Sequence, residues 1–338
     1  MSQKNTLFPI DIVYLWVDGS DKNWAKEKAY WVKKIKGIST VTKYAYSDVH
    51  YRDHDELKYS LRSVVENAPW VNHIYIITSF NQIPKWLDMN NPKITIISDT
   101  DIMPDDALPT FNSSSIEMCM ANITNLSEHF LLMNDDMMFN KKVKPSFFYD
   151  KNGRAIVLYN KHHDYQKNIG KWLNSVDEYT QTIILCAKKI HEVFNKKFYK
   201  YRLSHGIDPY IKSSILECKN HPLIHKDIES NIRNKFRANW ELQRWLFSLY
   251  DLAMNRAVFK HCHPYKSRHK MDFIYNLLHC RSVNKSPVYT SDVLLERKSI
   301  EHAPIFCIND NEKLSEEILL QNYEFLQTRF PNKSEFEK

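Results

Sequence analysis

The sequence predicts an α/β protein whose first half forms a mostly parallel sheet and whose second half is mainly helical. Short apolar runs rich in β-branched and aromatic residues alternate with helical periodicity between residues 10 and about 150. Polar clusters follow the ends of these runs, as expected where parallel strands end at one edge of a sheet. The chain of 338 residues is long enough for one large domain or two modest ones.

The residue pattern of the first half predicts the element order strand, helix, strand, strand, helix, strand. The first strand ends at the turn Asp18-Gly19-Ser20-Asp21, and Ser114 with Glu117 forms a capping-box pair that starts the second helix. That helix is predicted to place Ile116, Met120 and Ile123 on one face. The predicted elements are strands at residues 10–17, Ile74–Thr78, Ile94–Ser98 and 130–134, with helices at residues 55–66 and from residue 114.

The second half is predicted to be mostly helical and more basic. We expect an α/β ligand-binding half at residues 10–160, a mainly helical half at 161–311 that completes the site, and a C-terminal helix and tail at 312–338. Residues 188–202 interleave cations with aromatics; a solvated amphipathic helix is the favoured interpretation, and a membrane or glycolipid contact is the alternative. Residues from 331 onward are expected to fray.

The composition excludes several classes of phosphate site. The chain has only 5 glycines, with no G-x-G-x-x-G and no Walker-type motif. Any phosphate must therefore be held by a metal ion, by Arg or Lys, or by helix N-termini. The net charge of +7 favours an anionic partner, yet no RNA-binding or zinc-finger signature occurs, so we expect no nucleic acid.

The sequence contains no signal-peptide core and no apolar run long enough to span a membrane. We therefore expect a cytoplasmic protein, with a peripheral position at the inner face of the cell membrane as an option. The six cysteines show no C-x-x-C spacing, so no disulfide framework is expected. Histidines and cysteines between residues 261 and 280 invite a zinc site, but their spacing fits no recognised zinc pattern.

A predicted metal site follows the fourth strand. The apolar run 130–133 stops at Asn134-Asp135-Asp136, and apolar residues resume directly afterwards. Two adjacent carboxylates at the mouth of a hydrophobic sheet raise each other's pKa unless a cation lies between them. Hard oxygen ligands suit Mg²⁺ or Mn²⁺, which share substrate phosphates. A solvated turn after an edge strand is the alternative.

Further candidate residues lie at element ends. Arg52-Asp53 precedes the first helix, and Asn112-Ser113 opens the second, where free N–H groups could hold phosphate or where a serine could simply cap the helix. Arg52 could clamp a diphosphate or pair with Asp55 or Glu56 at the surface.

The second half offers three more candidates. His205 lies in a loop-like Ser-His-Gly segment and could act as a general base, or could be a structural histidine. Arg237 precedes an aromatic helix, and Asp310 follows a short apolar run as the end of Cys307-Ile308-Asn309-Asp310.

These motifs resemble the stealth family of sugar-1-phosphate transferases, which includes bacterial capsule enzymes and the catalytic subunit of lysosomal-enzyme N-acetylglucosamine-1-phosphotransferase. The resemblance rests on IDIVYLWVDGSD, RDHDELKYSLRSVVENAPWVNHIYIIT, IPKWL, LPTFNSSSIE, LSEHFLLMNDDMMF, the segments around His205 and Phe236-Arg237, and FCIND. It covers nearly the whole chain. It implies a Rossmann-like, glycosyltransferase-A-type sheet.

The resemblance also implies an activity and a set of site residues. A hexose-1-phosphate would pass from a UDP-sugar to a hydroxyl of a polysaccharide or lipid-linked oligosaccharide, releasing UMP in capsule or exopolysaccharide synthesis. Two departures stand out: Ser98-Asp99-Thr100-Asp101 replaces a Thr-His-x-Asp step, and Asn239-Trp240-Glu241 replaces an acidic pair. The roles that the resemblance implies are a base at His205, a catalytic phosphate contact at Arg237, and a Mg²⁺ or Mn²⁺ and diphosphate site at Asp135 and Asp136. Together with the polar residues at element ends, we expect catalytic Arg52 and Asp53, donor contacts at Asp18, Gly19, Asn112, Ser113 and Asn134, and a further metal ligand at Asp310.

Two other functions stay open at this point. A metal-dependent glycosyltransferase would attack C1 of the same donor and release UDP instead of UMP. A non-catalytic carbohydrate- or nucleic-acid-binding protein would also be aromatic and basic. The product released from a UDP-sugar separates these three readings.

Overall fold

The computed structural model describes residues 8–35, 45–161, 164–262 and 287–338. Most of the histidines and cysteines weighed for zinc, from His263 to Cys280, lie outside these ranges. Five cysteines within them are free thiols, all buried. Within the same ranges, no helix combines the length and the apolar character needed to cross a bilayer.

The central sheet has five strands in the order β3-β2-β1-β4-β8. Its first four strands are parallel, and β8 pairs antiparallel with β4. This confirms the predicted α/β class with a mostly parallel sheet. The strands are β1 (Ile10–Leu15), β2 (Ile74–Thr78), β3 (Ile94–Ser98), β4 (His129–Asn134) and β8 (Asp208–Ile211).

Burial explains why these segments are strands. Every residue of β2 is buried, as are the first five residues of β1, because helices cover both faces of a parallel sheet. Such strands appear in the sequence as continuous apolar runs, and the predicted bounds of β2 and β3 match the structure. One hydrophobic cluster joins residues of both predicted halves, including Ile12 and Ile190. The domain boundaries stay a prediction.

Two smaller sheets complete the described fold. In one, β5 (Met137–Phe139) pairs antiparallel with β11 (Ile305–Ile308), which pairs parallel with β10 (Val288–Thr290). The other has the order β7-β6-β9. Its strands are β6 (Ala155–Lys161), β7 (Tyr201–Leu203) and β9 (Ala257–His261). Since β5 follows β4 after two residues, Asp135-Asp136 connects the central sheet to the first small sheet.

The described α-helices surround these sheets. They are α1 (Lys22–Ile35), α2 (Glu56–Asn67), α3 (Asp99–Ile102), α4 (Ser113–Glu117), α5 (Ile169–Leu173), α6 (Glu178–Phe194), α7 (Lys212–Asn220), α8 (His225–Ile232), α9 (Trp245–Ala253), α10 (Val293–His302) and α11 (Glu316–Arg329).

The second helix of the first half differs from its prediction. Helix α4 ends at Glu117, and Asn112, not a serine, caps it by accepting a hydrogen bond from the Ser114 amide at 3.0 Å. Residues 118–121 are all buried, so the chain continues as a compact turn that does not require helical periodicity. The capping-box prediction was therefore wrong.

Two further predictions were wrong. The basic segment 188–202 is not one helix, because α6 ends at Phe194 and Asn195 takes the left-handed conformation typical of a helix end. The C-terminal tail does not fray: Phe336 is buried, and Glu337 forms a two-pronged ion pair with Arg62. That pair is partly buried and holds the tail against α2.

Candidate active site

The site is built at the carboxyl edge of the central sheet. Strands β1 and β4 are neighbours, and the last residue of β1, Leu15, pairs with Asn134 at the end of β4. From β1 the chain moves outward to β2 and β3, and then returns to the other side of β1 to form β4. The gap between β1 and β4 is therefore the topological switch point, where open α/β sheets bind ligands.

The loop after β1 is held in place by two contacts. The amide of Gly19 donates to the carbonyl oxygen of Tyr51 at 2.8 Å, and a Cβ at Gly19 would collide with that oxygen. The side chain of Gln82 accepts from the Asp18 amide at 2.9 Å and donates to the Asp18 carbonyl at 3.0 Å. The Asp18 carboxylate accepts from the amide and hydroxyl of Ser20. Only a glycine fits at position 19 without moving the loop.

The small sheet brings Asp310 to the same edge. Cys307 of β11 pairs with Met137 of β5, and the Ile308 amide donates to the Asp136 carbonyl at 3.1 Å. Asp310 follows two residues later, and its carboxylate lies 3.3 Å from the Arg52 guanidinium and 3.5 Å from the His54 ring. The structure thus joins two motifs that lie far apart in the sequence.

This arrangement corrects the predicted surface partners of Arg52. Asp55 forms an ion pair with Lys58, and Glu56 accepts a hydrogen bond from the His54 amide at 2.7 Å. Arg52 therefore reaches across to Asp310 and not to its neighbours in the chain.

Four carboxylates influence one another beside the switch point, and we call Asp53, Glu56, Asp135 and Asp136 the acidic cluster. Burial and the nearby Asp136, Glu56 and Asp53 hold the pKa of Asp135 well above its usual range. Burial raises the pKa of Asp136 to about 6 and that of Glu56 to about 8. The pKa of Asp53 is also raised, chiefly by burial.

The acidic cluster suits a divalent cation. Oδ1 of Asp136 is buried and has no hydrogen-bond partner. Among the described residues, no three His, Cys, Asp or Glu side chains form a metal site by themselves. Mg²⁺, however, commonly binds through one or two carboxylates and completes its shell with water and substrate phosphate. Asp135 and Asp136 fit that pattern, and Asp310 as a third ligand stays a prediction.

Arg237 and α4 form the second wall of the candidate site. Nη2 of Arg237 donates to the Ser113 hydroxyl at 3.0 Å. Asn112 is buried, with its carbonyl oxygen capping α4 and its amide group donating to Glu241 at 3.1 Å. Both polar groups of Asn112 therefore have partners inside the protein, whereas Ser113 remains partly exposed. Asn112 is placed to orient the wall.

His205 lies at the same edge, because β8 runs antiparallel to β4 and His205 comes just before it. Its ring packs against Tyr179, Trp245 and Tyr289 with centroid distances of 5.3, 6.3 and 5.1 Å. Nδ1 of His205 and the hydroxyl of Tyr289 are both buried without a hydrogen-bond partner. Two unmatched polar atoms on packed rings indicate a place for a ligand group.

The sequence reasoning missed three residues here: His54, Glu56 and Tyr289. The dense run Asp53-His54-Asp55-Glu56 before an apolar helix was a usable signal for the first two. No local signal identifies Tyr289, which reaches the site only because β10 pairs with β11.

Comparisons with known proteins give the following matches. The family model of Stealth protein conserved region 1 matches residues 8–36, and that of conserved region 2 matches residues 50–157. The exopolysaccharide phosphotransferase cps2G of Lactiplantibacillus plantarum is 32% identical over 98% of this chain and 97% of its own. The capsular polysaccharide phosphotransferase fcs1 of Haemophilus influenzae is 32% identical over 95% of this chain and 84% of its own.

Solved structures are similar at a lower level. A galactosyltransferase, LgtC, in complex with donor and acceptor sugar analogs has a TM-score of 0.45 and 10% identity, covering 97% of this chain and 98% of its own. The bifunctional glycosyltransferase WbbM has a TM-score of 0.42 and 8% identity, covering 97% of this chain and 50% of its own.

Proposed function

Because this chain belongs to the family of Stealth proteins, we propose that it is a sugar-1-phosphate transferase of capsule or exopolysaccharide synthesis. It transfers a hexose-1-phosphate from a UDP-sugar to a hydroxyl of a saccharide acceptor, forms a phosphodiester and releases UMP. The observation that carries the proposal is the acidic cluster at the β1–β4 switch point, with the cations Arg52 and Arg237 on neighbouring segments. The acceptor is a polysaccharide or a lipid-linked oligosaccharide.

Phosphoryl transfer depends mainly on positioning and on charge neutralisation. A divalent ion held by Asp135 and Asp136, with Asp310 beside them, would neutralise the diphosphate when bound. Arg52 and Arg237 would reduce the negative charge that repels an incoming hydroxyl. Asp53 lies among the four carboxylates and orients this end of the site through the Asp55 amide, which donates to it at 3.1 Å.

His205 is the proposed general base. Burial, followed by the charges of Arg244, Arg237 and Arg202, lowers the pKa of His205 to about 3, so its ring is neutral at physiological pH. A neutral imidazole can accept a proton, and a bound phosphate anion would offset the arginine charges and raise its basicity. Attack occurs at phosphorus, so the C1–O bond of the sugar survives and the anomeric configuration is retained.

The test is the identity of the leaving nucleotide. Purified protein is incubated with Mg²⁺ and UDP-glucose, UDP-galactose or UDP-N-acetylglucosamine, and UMP and UDP are separated by chromatography. We expect UMP, together with a new ³¹P phosphodiester signal when a saccharide acceptor is present. Release of UDP alone would instead support the C1-attacking glycosyltransferase and would contradict this proposal.

The place of action is part of the same proposal. The enzyme works in the cytoplasm at the inner membrane face, where lipid-linked acceptors are presented. The lysines of the basic segment after α6, Lys196, Lys197 and Lys200, are exposed and suit an anionic lipid surface.

A further inference from the structure

Two bulky residues in the described chain have a backbone conformation that is strained for their type. Seven non-glycine residues have positive φ, and five of them are Asn or Asp, which tolerate it. The two exceptions are Phe80 and Trp240, both of them exposed aromatics. Backbone strain of this kind is energetically costly and concentrates at functional sites. Phe80 lies at the carboxyl edge of the central sheet.

Phe80 occupies a tight turn directly after β2. The Gln82 amide donates to the Ser79 carbonyl at 3.2 Å, and the two central residues, Phe80 and Asn81, have φ of 56° and 55°. Two positive φ values in a four-residue turn correspond to type I′, whose central positions favour Asn, Asp or Gly. A phenylalanine at the first central position therefore does not stabilise the turn.

The turn is fastened on both sides, to the loop after β1 in the candidate site and to the segment after β3. Gln82 holds both the amide and the carbonyl of Asp18 in the loop after β1. The Ser79 hydroxyl donates to the buried Asp99 after β3 at 2.6 Å. The surrounding contacts therefore fix a conformation that Phe80 would not choose locally.

The ring of Phe80 has room for a partner. It is 38% exposed, and no aromatic ring of the described residues is stacked on it. Two residues earlier, the hydroxyl of Thr78 is buried without a hydrogen-bond partner. An exposed ring and an unmatched hydroxyl at the end of the same strand are groups that a flat, polar heterocycle would use.

We propose that Phe80 is the stacking platform for the uracil base of the donor. The inference rests on the proposed function, since it assigns the base of the same UDP-sugar. With the diphosphate at Asp135-Asp136 after β4, the nucleoside extends across β1 to β2, two strand spacings or about 10 Å away. Asp18 and Gly19 then lie between base and diphosphate, on the path of the ribose.

The test compares UDP with inorganic pyrophosphate, which has no base. Both are titrated in Mg²⁺ by isothermal calorimetry against the unaltered protein, Phe80→Ala and Phe80→Trp. Phe80→Ala should weaken UDP binding roughly 10- to 100-fold and leave pyrophosphate binding unchanged, because stacking is lost and the phosphate site is not touched. Phe80→Trp should bind UDP within about threefold of the unaltered protein. Ile83→Ala is the control, since Ile83 is an exposed apolar residue of the same loop.

The outcomes that contradict the inference can be told apart from the one that contradicts the proposed function. Equal UDP binding by Phe80→Ala and the unaltered protein would overturn the inference and leave the proposed function standing. An equal loss of UDP and pyrophosphate would show a distorted loop and also overturn it. Failure of the unaltered protein to bind UDP would contradict the proposed donor, and with it the inference. Phe80→Gly should melt at a higher temperature than the unaltered protein while binding UDP as weakly as Phe80→Ala, which a purely structural role would not produce.

Discussion

Two groups of carboxylates in the described part of the protein differ in whether a cation is paired with them. In the arginine cluster, Arg244 donates to Glu117 at 2.6 Å and to Asp208 at 3.0 Å, and all three side chains are almost fully buried. In the acidic cluster at the switch point, burial raises the pKa of all four carboxylates, and Asp136, Glu56 and Asp53 raise that of Asp135 further. The charge of Arg244 lowers the pKa of Asp136, but among the described residues no arginine forms an ion pair with these four carboxylates, and Arg52 pairs with Asp310. One group carries its own cation, whereas the other does not.

We infer from this difference that the arginine cluster is structural and that the acidic cluster serves binding. A buried charge is tolerated when a partner neutralises it within the fold, as Arg244 does. The acidic cluster instead retains repulsion that a bound cation and its diphosphate would relieve. In the proposed function, stability is given up there for binding, as it is at other active sites.

The largest effect is expected when the charges of Asp135 and Asp136 are removed from the acidic cluster. Asp135→Asn combined with Asp136→Asn should lower the rate of UMP release roughly 10³-fold or more, because the charge that binds the cation is gone. The same change should raise the free energy of unfolding at pH 8, since like-charge repulsion is removed. Urea unfolding and UMP release measure the two effects on one preparation.

A matched pair of adjacent aspartates provides the control. Asp105 and Asp106 are exposed on a short turn, where Asp106 pairs with Arg233. Their double replacement by Asn should leave UMP release within about twofold of the unaltered rate, since exposed ion pairs contribute little. A large loss of stability in Asp135→Asn with Asp136→Asn would contradict the comparison.

The second prediction concerns the removal of the cation from the arginine cluster. Arg244→Met should lower the free energy of unfolding by about 3–5 kcal/mol, because it leaves Glu117 and Asp208 buried without their cation. Arg233→Met, which removes an exposed ion pair with Asp106 and Glu229, should cost less than about 1 kcal/mol. Urea unfolding at pH 7 compares them. Equal losses would show that Arg244 is no more structural than a surface arginine.

The features that could be predicted from the sequence are the strand bounds that local residue patterns determine. The bounds of β2 and β3 and the end of β4 at Asn134 were correct, because buried parallel strands are continuous apolar runs. The sequence could not predict that Asp310 would lie beside Arg52, since that contact depends on pairing β5 with a strand more than 160 residues later. The extent of α4 was also missed, because Glu117 ends it inside the arginine cluster, where long-range contacts override the local pattern.

The smallest effect is expected from pH, measured without a metal ion. The pKa of Asp136 is raised from 3.8 to about 6, so the folded protein binds this proton more tightly than the unfolded chain does. Stability contributed by that proton is complete below about pH 4 and is lost as the pH rises to about 6. Other groups titrate in the same range, so the measured quantity is the difference in free energy of unfolding between Asp136→Asn and the unaltered protein. In EDTA this difference should increase by about 1–2 kcal/mol from pH 4 to pH 7, allowing for the solvent exposure of Asp136.

Adding Mg²⁺ to the same unfolding measurement tests whether the acidic cluster, and not the arginine cluster, binds the cation. An ion that binds only the folded state adds about 2.7 kcal/mol at a concentration of one hundred times its dissociation constant. At pH 7, Mg²⁺ should therefore stabilise the unaltered protein and not Asp136→Asn, and the difference between the two should shrink or reverse. The charge of the arginine cluster is already balanced, so Glu117→Gln should respond to Mg²⁺ as the unaltered protein does. If Mg²⁺ stabilised Asp136→Asn equally, the cation would bind elsewhere, and the acidic cluster would lose its proposed role.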